Sequence, residues 1–288
     1  MAKKRGDRRD GKLLRNIDSM HYIMPLMYPN RCDNEAFVAE RVDLTNINRY
    51  LEKKNADAPE YKYNLFQVIV AAFLKTITLR PKMNYFIANY NMYERNEVSA
   101  AFTIKKIFTD DGEEDLAFIH SKPEYNIDSI HSEIYRQVSS VRKDNNKDSS
   151  TQSMDKIMSM PLFLKKMIGR VARSLERRGK MPQSIIETDP YQSSIVLANL
   201  GSIRLKAVYH HLTNWGTTSL MCTIGERKNR WFKNEDGSEE LKDSVDLGIV
   251  LDERIADGYY YAKSIKLLLH ILDNPELLEK PFSEAVEF

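Results

Sequence analysis

Two stretches of the chain carry the side chains best suited to moving a proton. The stretch "LDERIADGYYY" places Glu253 four residues before Asp257, and "YHHLTNWGTTS" places His210 directly before His211. Carboxylates and imidazoles are the usual general bases of proteins, and a carboxylate can also hold an imidazole in a productive orientation. These residue types make Glu253, Asp257, His210 and His211 candidates for acid–base chemistry.

The acidic residues also have purely structural interpretations. Glu253 precedes Arg254 and could form an ion pair with it. Asp257 stands before Gly258 and a predicted helix, where an aspartate typically caps the first helical turn.

The two histidines have a structural interpretation as well. Adjacent side chains on an extended strand point to opposite faces, so at most one of His210 and His211 is expected to enter a site. The segment 209–215 could instead form a subunit contact or a capping loop.

The composition excludes several other chemistries. Cys32 and Cys222 are the only cysteines, too few for a disulfide framework or a zinc cluster, which is typical of a reducing compartment and predicts a cytoplasmic protein. We find no glycine-rich phosphate loop and no metal-ligand spacing, so no metal is expected. Basic and acidic residues number 43 and 41, and a formal charge of +2 predicts no nucleic-acid partner for the chain as a whole.

The elements that must position these residues form an α+β pattern, because strands and helices follow one another without a regular βαβ rhythm. Residues 1–20 are interpreted as a basic, solvated arm, with nucleic-acid or membrane contact as the alternative. Residues 21–288 are interpreted as one domain. Six strands are predicted, in "FVAERV", "EVSAAFTIKKIF", "LAFIHSKP", "SSIVLANLGS", "SLMCTIGE" and "SVDLGIVLDE". Helices are predicted from near Asp43, in "YNLFQVIVAAFLKTITLRP", from Ile127 to Val138, and after Gly258, and a loop is predicted in "KDNNKDSSTQS".

A basic amphipathic helix is predicted at about 160–180. One stripe contains Leu164, Met167, Ile168, Val171 and Leu175, and the opposite face contains Lys165, Lys166, Arg170, Arg173 and Arg177. The apolar stripe could pack on its own domain or on a neighbouring subunit. The alternative is that residues 162–178 bind a protein partner, an anionic surface or a membrane.

Two blocks of sequence resemble the catalytic core of the dihydrolipoyl acyltransferases of 2-oxoacid dehydrogenases, a family related in fold to chloramphenicol acetyltransferase. "DERIADGYYYAKSIKLLLHILDNPELL" is similar to the family's His-x-x-x-Asp-Gly motif with its following helix. "SSIVLANLGSIRLKAVYHHLTNWGTTSLMCTIGERK" is similar to its strand, Asn-Leu-Gly-Ser turn and next strand. The interval between the blocks also fits, and a looser similarity extends over about residues 30 to 280.

The resemblance implies a chloramphenicol-acetyltransferase-like fold, a mixed sheet covered by helices, in a catalytic core standing alone. It implies a homotrimer whose active sites lie in channels between subunits and take coenzyme A or acyl-CoA as co-substrate. It further implies that Asn199, Gly201 and Ser202 contact that co-substrate and that Asp257 orders the site.

Both chemically active side chains of the family are changed in this chain. Alignment on Asp257 and Gly258 puts the family's histidine at Glu253, and alignment on the Asn-Leu-Gly turn puts its serine or threonine at Ala198. A carboxyl with a pKa of about 4.3 lies roughly 4 units below a thiol near 8.5, an uphill proton transfer of roughly 5 to 6 kcal/mol, about twice the step facing an imidazole. Burial in an apolar channel could raise the pKa of Glu253 and recover much of this difference. Loss of the hydroxyl at position 198 would cost on the order of 3 kcal/mol if no other donor replaced it.

The expected function is acyl transfer between a thioester and an unidentified acceptor, with Glu253 as base, Asp257 as organiser and His210 or His211 as assistant. The alternative is a catalytically silent oligomer that serves as a scaffold or as a module binding coenzyme A or acyl groups.

Overall fold

The computed structural model describes residues 4–105, 114–143, 159–234 and 236–288. Within these residues the chain forms ten strands, β1 (Gly11–Leu13), β2 (Glu35–Asp43), β3 (Tyr85–Ala88), β4 (Asn91–Arg95), β5 (Val98–Lys105), β6 (Glu114–Ser121), β7 (Ile195–Asn199), β8 (Leu220–Ile224), β9 (Lys228–Lys233) and β10 (Glu239–Asp252). It also forms helices α1 (Ser19–Met27), α2 (Thr45–Lys54), α3 (Leu65–Leu79), α4 (Ile127–Lys143), α5 (Leu162–Arg177), α6 (Gln183–Ile186) and α7 (Gly258–Asp273).

The main sheet has seven strands in the order β2-β10-β8-β7-β5-β6, with β9 paired to the first half of β10. The neighbours β5, β7 and β8 run parallel, and the remaining pairs are antiparallel. Parallel neighbours need long crossover connections. Helices α4, α5 and α6 lie in the connection from β5 to β7, whereas the fully described connection from β7 to β8 is a long loop without an α-helix. The fold is therefore α+β with a mixed sheet, as predicted.

Helices cover one face of this sheet and bury the principal core. α3 is apolar on nearly every side and is buried from Gln67 to Ile77, between the sheet and its neighbours α4 and α7. Its first turn is fixed by a capping box, in which Asn64 accepts from the backbone of Gln67 and the Gln67 side chain accepts from the backbone of Asn64. The predicted stop before Pro81 is confirmed, since α3 ends at Leu79.

The opposite face of the sheet is covered mainly by a loop. Strand residues that alternate with the core positions form a smaller apolar cluster there, which consists of Ala101, Val196, Met221 and Val250 packed with Leu212. Leu212 belongs to the connection between β7 and β8, the same connection that carries the histidine pair.

The six predicted strands are present as β2, β5, β6, β7, β8 and β10, and the helices predicted before residue 140 and after Gly258 are present as α2, α3, α4 and α7. The predicted loop "KDNNKDSSTQS" lies outside the described residues apart from its first residue. α5 confirms a helix at the predicted basic segment.

The first residues of the chain differ from the expectation of a solvated arm. β1 pairs with β4 in a three-stranded sheet of order β1-β4-β3. Arg8 and Asp10 are 5% and 7% exposed, and the Arg8 guanidinium contacts Asp10 at 2.8 Å and Glu176 of α5 at 3.4 Å. These charges are buried because they are paired across 168 residues of sequence, a contact that local composition does not reveal.

No helix within the described ranges is long and apolar enough to cross a membrane.

Candidate active site

Glu253 is the first residue after β10 and starts the short loop that leads to α7. Its backbone N–H donates to the carbonyl of Asn34 (3.0 Å), and its side chain is exposed in the single chain. The register fixes where this loop lies, because Leu251 is opposite both Ala36 of β2 and Leu220 of β8. Glu253 therefore lies at the edge of the sheet where β8 begins.

The residues on either side of Glu253 form a buried ion pair. Asp252 and Arg254 are 0% and 1% exposed, and the guanidinium of Arg254 donates to both carboxylate oxygens, at 2.7 and 2.6 Å. The same guanidinium donates to the carbonyl of Tyr28 (2.9 Å), just beyond α1. The expected pairing of Glu253 with Arg254 is not observed, since Arg254 is directed inward to Asp252. The pair fixes the backbone on which the Glu253 side chain is presented to solvent.

Arg31 is a second buried cation beside this loop. Its Nε lies 3.5 Å from the carboxylate of Asp252, and its Nη1 and Nη2 atoms donate to the carbonyls of Thr213 (2.7 Å) and Ile87 (3.0 Å). Burial lowers the pKa of Arg31, the Asp252 carboxylate raises it, and the nearby charge of Arg254 lowers it further. Arg31 and Arg254 line a cavity of about 90 Å³ next to the Glu253 loop.

Asp257 caps α7, as its structural interpretation predicts. Its side chain accepts from the backbone N–H of Tyr260 (2.8 Å), and its carbonyl accepts from Tyr261. The hydrogen bond from the backbone of Tyr260 holds the pKa of Asp257 below its usual value, so the carboxylate is ionised at neutral pH. Its position at the start of α7 suits an organising role.

The histidine pair lies on the loop that crosses the outer face of the sheet. The backbone N–H of Val208 donates to Thr223 Oγ1 (3.0 Å), and the Thr223 hydroxyl donates to the carbonyl of Val208. Gly248 permits this close approach, because a side chain there would strike the Val208 carbonyl. Further along, the N–H of Leu212 donates to the side chain of Glu35, which is opposite Asp252 in the sheet. The loop thus leads toward the edge that carries Glu253.

His210 and His211 are not on opposite faces, and the expectation from strand alternation is wrong. Their rings stack with centroids 4.7 Å apart, and Nδ1 of His210 donates to the carbonyl of His211 (3.1 Å). The alternation rule fails because this segment is an irregular loop and forms no strand. Both imidazoles therefore lie on one side of the backbone.

The proposed co-substrate residues lie at the other end of the sheet. Asn199 is level with Ile224, whereas Leu220, four residues earlier in β8, is level with Leu251. At about 3.3 Å per residue, at least about 13 Å separates this turn from the Glu253 edge. A single chain therefore does not bring Asn199, Gly201 and Ser202 together with Glu253.

The turn itself is held by local contacts. Ser202 Oγ donates to the carbonyl of Asn199 (2.7 Å), and Gly201 packs so closely that a Cβ would lie 2.6 Å from the carbonyl oxygen of Gly225. Ala198 precedes the turn, and its methyl side chain provides no hydroxyl at the position where the family has serine or threonine.

The sequence did not indicate that Cys32 lies near the end of the sheet that carries Glu253. Cys32 is exposed, and the Asn214 side chain donates to its Sγ (3.0 Å) and accepts from its backbone N–H (3.3 Å). Nothing in the local sequence links Cys32 to Asn214, because the contact joins residues 182 positions apart. Across the described ranges, no three His, Cys, Asp or Glu side chains are grouped in a way that would hold a metal ion.

Comparisons with known proteins identify the fold. No protein-family sequence model matches the chain, and no curated protein matches it by sequence. Solved structures do match over nearly the whole length. A probable dihydrolipoamide acetyltransferase from Listeria monocytogenes is 15% identical and has a TM-score of 0.58, with 92% of this chain and 95% of that chain covered.

Two further structures agree. A catalytic core of the 2-oxoacid dehydrogenase multienzyme complex from Thermoplasma acidophilum is 15% identical, with a TM-score of 0.55 and coverage of 92% and 99%. A chloramphenicol acetyltransferase is 10% identical, with a TM-score of 0.56 and coverage of 91% and 99%. The chain therefore has the fold shared by 2-oxoacid dehydrogenase acyltransferase cores and chloramphenicol acetyltransferase.

Proposed function

We propose that the chain transfers an acyl group between a thioester such as acyl-CoA and an unidentified acceptor, with Glu253 as the base. The observation that carries this proposal is the placement of Glu253. It is the exposed carboxylate between β10 and the Asp257-capped start of α7, the position that the family resemblance gives to the base. The acyltransferase fold over 92% of the chain supports it.

The proposed site is completed by a second copy of the chain, in a homotrimer. The separation of Glu253 from Asn199 supports this arrangement, because two copies could bring opposite sheet edges together where one cannot. α1 supports it too: its exposed apolar side chains Ile23, Leu26 and Met27 lead directly to Tyr28, whose carbonyl contacts Arg254 below Glu253.

Glu253 would take the proton of the acceptor thiol, and the thiolate would then attack the acyl carbonyl. The tetrahedral intermediate would collapse by breaking the bond from the acyl carbon to the donor sulfur, and the departing donor thiolate would take the proton back from Glu253. This step is costly for an exposed carboxylate, whose ordinary pKa lies roughly 4 units below that of a thiol. A covering subunit that excludes water from this loop would make a charged carboxylate less favourable there and reduce that cost. Asp257 would keep the loop in place through its cap on α7.

One of the stacked histidines is proposed to assist Glu253. The bond from Leu212 to Glu35 holds the end of their loop at the sheet edge that carries Glu253. Separate His210→Gln and His211→Gln variants are expected to show slower turnover in one case. Unaltered turnover in both would remove the histidines from the mechanism.

Glu253 is tested by release of free coenzyme A from a series of acyl-CoA thioesters, with dihydrolipoamide offered as acceptor. Glu253→Gln should abolish release, whereas Glu52→Gln, at an exposed carboxylate on α2, should leave it unchanged. Glu253→His should increase release by up to about a hundredfold, because an imidazole lies about 2 pKa units closer to the thiol. Full turnover in the Glu253→Gln protein would refute the assignment.

A silent module that binds coenzyme A or acyl groups is the second candidate. Ala198 favours it, because the position lacks the hydroxyl that would stabilise an oxyanion. Saturable calorimetric binding of coenzyme A without turnover of any thioester would select this candidate. Sedimentation equilibrium on the same sample tests the homotrimer, and a monomer would argue against both versions of a shared site.

The basic helix is a separate candidate for partner binding. We propose that residues 162–178 bind an anionic partner.

A further inference from the structure

One row of apolar side chains on α5 is uncovered. Phe163, Met167 and Val171 follow one another at four-residue spacing and are 69%, 53% and 54% exposed. Leu164, Ile168 and Leu175 of the same helix are half-buried. The predicted apolar stripe is therefore divided into a half-buried edge and an exposed edge. Contiguous exposed apolar groups of this kind mark interaction surfaces.

A row of basic side chains runs beside the apolar row. Lys166, Arg170, Arg173 and Arg177 are exposed, and at 100° per residue they fall within an arc of about 60° that borders Phe163. Among the described residues, none of these four forms an ion pair with an acidic side chain. The one acidic residue of α5, Glu176, is buried and faces Arg8. This surface of α5 therefore has an uncompensated positive charge.

The basic row also lines a concave surface. Arg170, Arg173, Arg177 and Arg178 surround a cavity of about 470 Å³, together with Asn89 of the β3–β4 turn. The next residue in that turn, Tyr90, is 54% exposed. Guanidinium groups converging on one cavity are suited to phosphate oxygens. Tyrosine is one of the side chains that typically lie at the headgroup level of a bilayer.

We propose that α5 docks this protein on an anionic lipid surface. The apolar row would enter the outer edge of the acyl chains, and the basic row and its cavity would bind headgroup phosphates. An apolar row bordered by a basic row is the pattern of a helix that lies in the plane of a membrane interface.

Charge argues against two other occupants, α5 of a second copy and nucleic acid. Docking of α5 against α5 of a second copy would bring two uncompensated basic rows together, which is unfavourable. Nucleic acid would neutralise the basic row but would leave the apolar row in water, because phosphate contacts account for most nucleic-acid binding.

The test is co-sedimentation of the full chain with sucrose-loaded vesicles of phosphatidylcholine, with or without 30% phosphatidylglycerol. Binding is expected only to the anionic vesicles, and 0.5 M NaCl should release most of the protein. Arg170→Gln/Arg173→Gln should reduce the partition coefficient about 30-fold, since each basic residue near an anionic surface is worth about fivefold.

Phe163→Ser/Met167→Ser should also reduce binding, by at least tenfold, without changing the circular dichroism spectrum. Lys53→Gln/Lys62→Gln is the control for net charge and should bind like the natural chain. Equal binding to neutral vesicles, no binding at all, or full binding by either α5 variant would overturn the proposal. A change in oligomeric mass in Phe163→Ser/Met167→Ser would overturn it in favour of a subunit contact.

Discussion

Replacement of Asp252 by asparagine, which is nearly identical in shape but uncharged, should strongly destabilise the chain. The carboxylate is 0% exposed, accepts from Arg254 at 2.7 and 2.6 Å, and lies 3.5 Å from Arg31. An asparagine amide would turn an N–H₂ group toward two buried guanidinium groups and leave both positive charges without a carboxylate. Breaking a buried pair in this way costs about 3 to 5 kcal/mol.

The cost can be converted to a melting temperature. For a chain of 288 residues, the entropy of unfolding is about 0.6 kcal/mol/K, so Asp252→Asn should lower Tm by about 5 to 8 °C. Differential scanning calorimetry measures the shift. Glu253→Gln is the matched control, because the neighbouring carboxylate is exposed and its replacement should change stability by less than about 0.5 kcal/mol.

A double-mutant cycle separates the ion pair from other effects. Arg254→Met added to Asp252→Asn should cost much less than Arg254→Met alone, with a coupling above about 1 kcal/mol. If Asp252→Asn melted within 1 °C of the natural chain, or if the two changes were additive, the pair would not be anchoring the loop and the reasoning would be refuted.

Three other outcomes follow from local environments. The hydrogen bond to Glu97 raises the pKa of His120. The stabilisation from this pair is therefore complete below the ordinary histidine pKa of about 6.5 and is lost as pH rises through the raised value. In NMR titrations, Glu97→Gln should lower the titration midpoint of His120, and an unchanged midpoint would contradict the pairing. Ellman's reagent should modify the exposed Cys32 in the native chain, whereas Cys222, fully buried with a pKa raised by burial, should react only after denaturation. Tyr261→Phe should lose about 1 kcal/mol in urea unfolding, since the hydroxyl donates a 2.6 Å bond to a buried backbone carbonyl, and a neutral result would show that water replaces it.

The principal core and the main sheet were predictable because their signals are local. α3 is apolar on nearly every side and stops before a proline, and Asp257 is a typical helix cap. Short runs of β-type residues bounded by turn-forming or polar stretches indicated six strands of the main sheet. Wherever periodicity and caps agreed within one window, the sequence prediction matched the structure.

The small sheet was not predictable because its signals are weak and distant. β1 has three residues and pairs with a strand about 80 positions later. The turn that joins β3 to β4 uses Asn89 and Tyr90 at positive φ, where glycine is the usual marker. Pairing of Arg8 with Glu176 likewise depends on the completed fold.

The candidate site was predictable only in part. The position of Glu253 at the end of a strand and the cap of Asp257 followed from the motif. The stacking of His210 on His211 did not, because a loop is free of the alternation that governs strands. The inward turn of Arg254 toward Asp252 depends on burial, which charge order alone does not reveal.

Gly248 of β10 couples the position of the loop that carries His210 and His211 to the sheet beneath it. The carbonyl of Val208 lies against the α-carbon of Gly248, on the side where any other residue would carry its side chain. A methyl group at position 248, as in Gly248→Ala, would clash with the Val208 carbonyl oxygen, so the loop would have to move away from the sheet. His210 and His211 would move with the loop, although neither contacts position 248 directly. Redesign of residues 206–212 for new substrates should therefore leave position 248 unchanged, because the conformation of the loop depends on it.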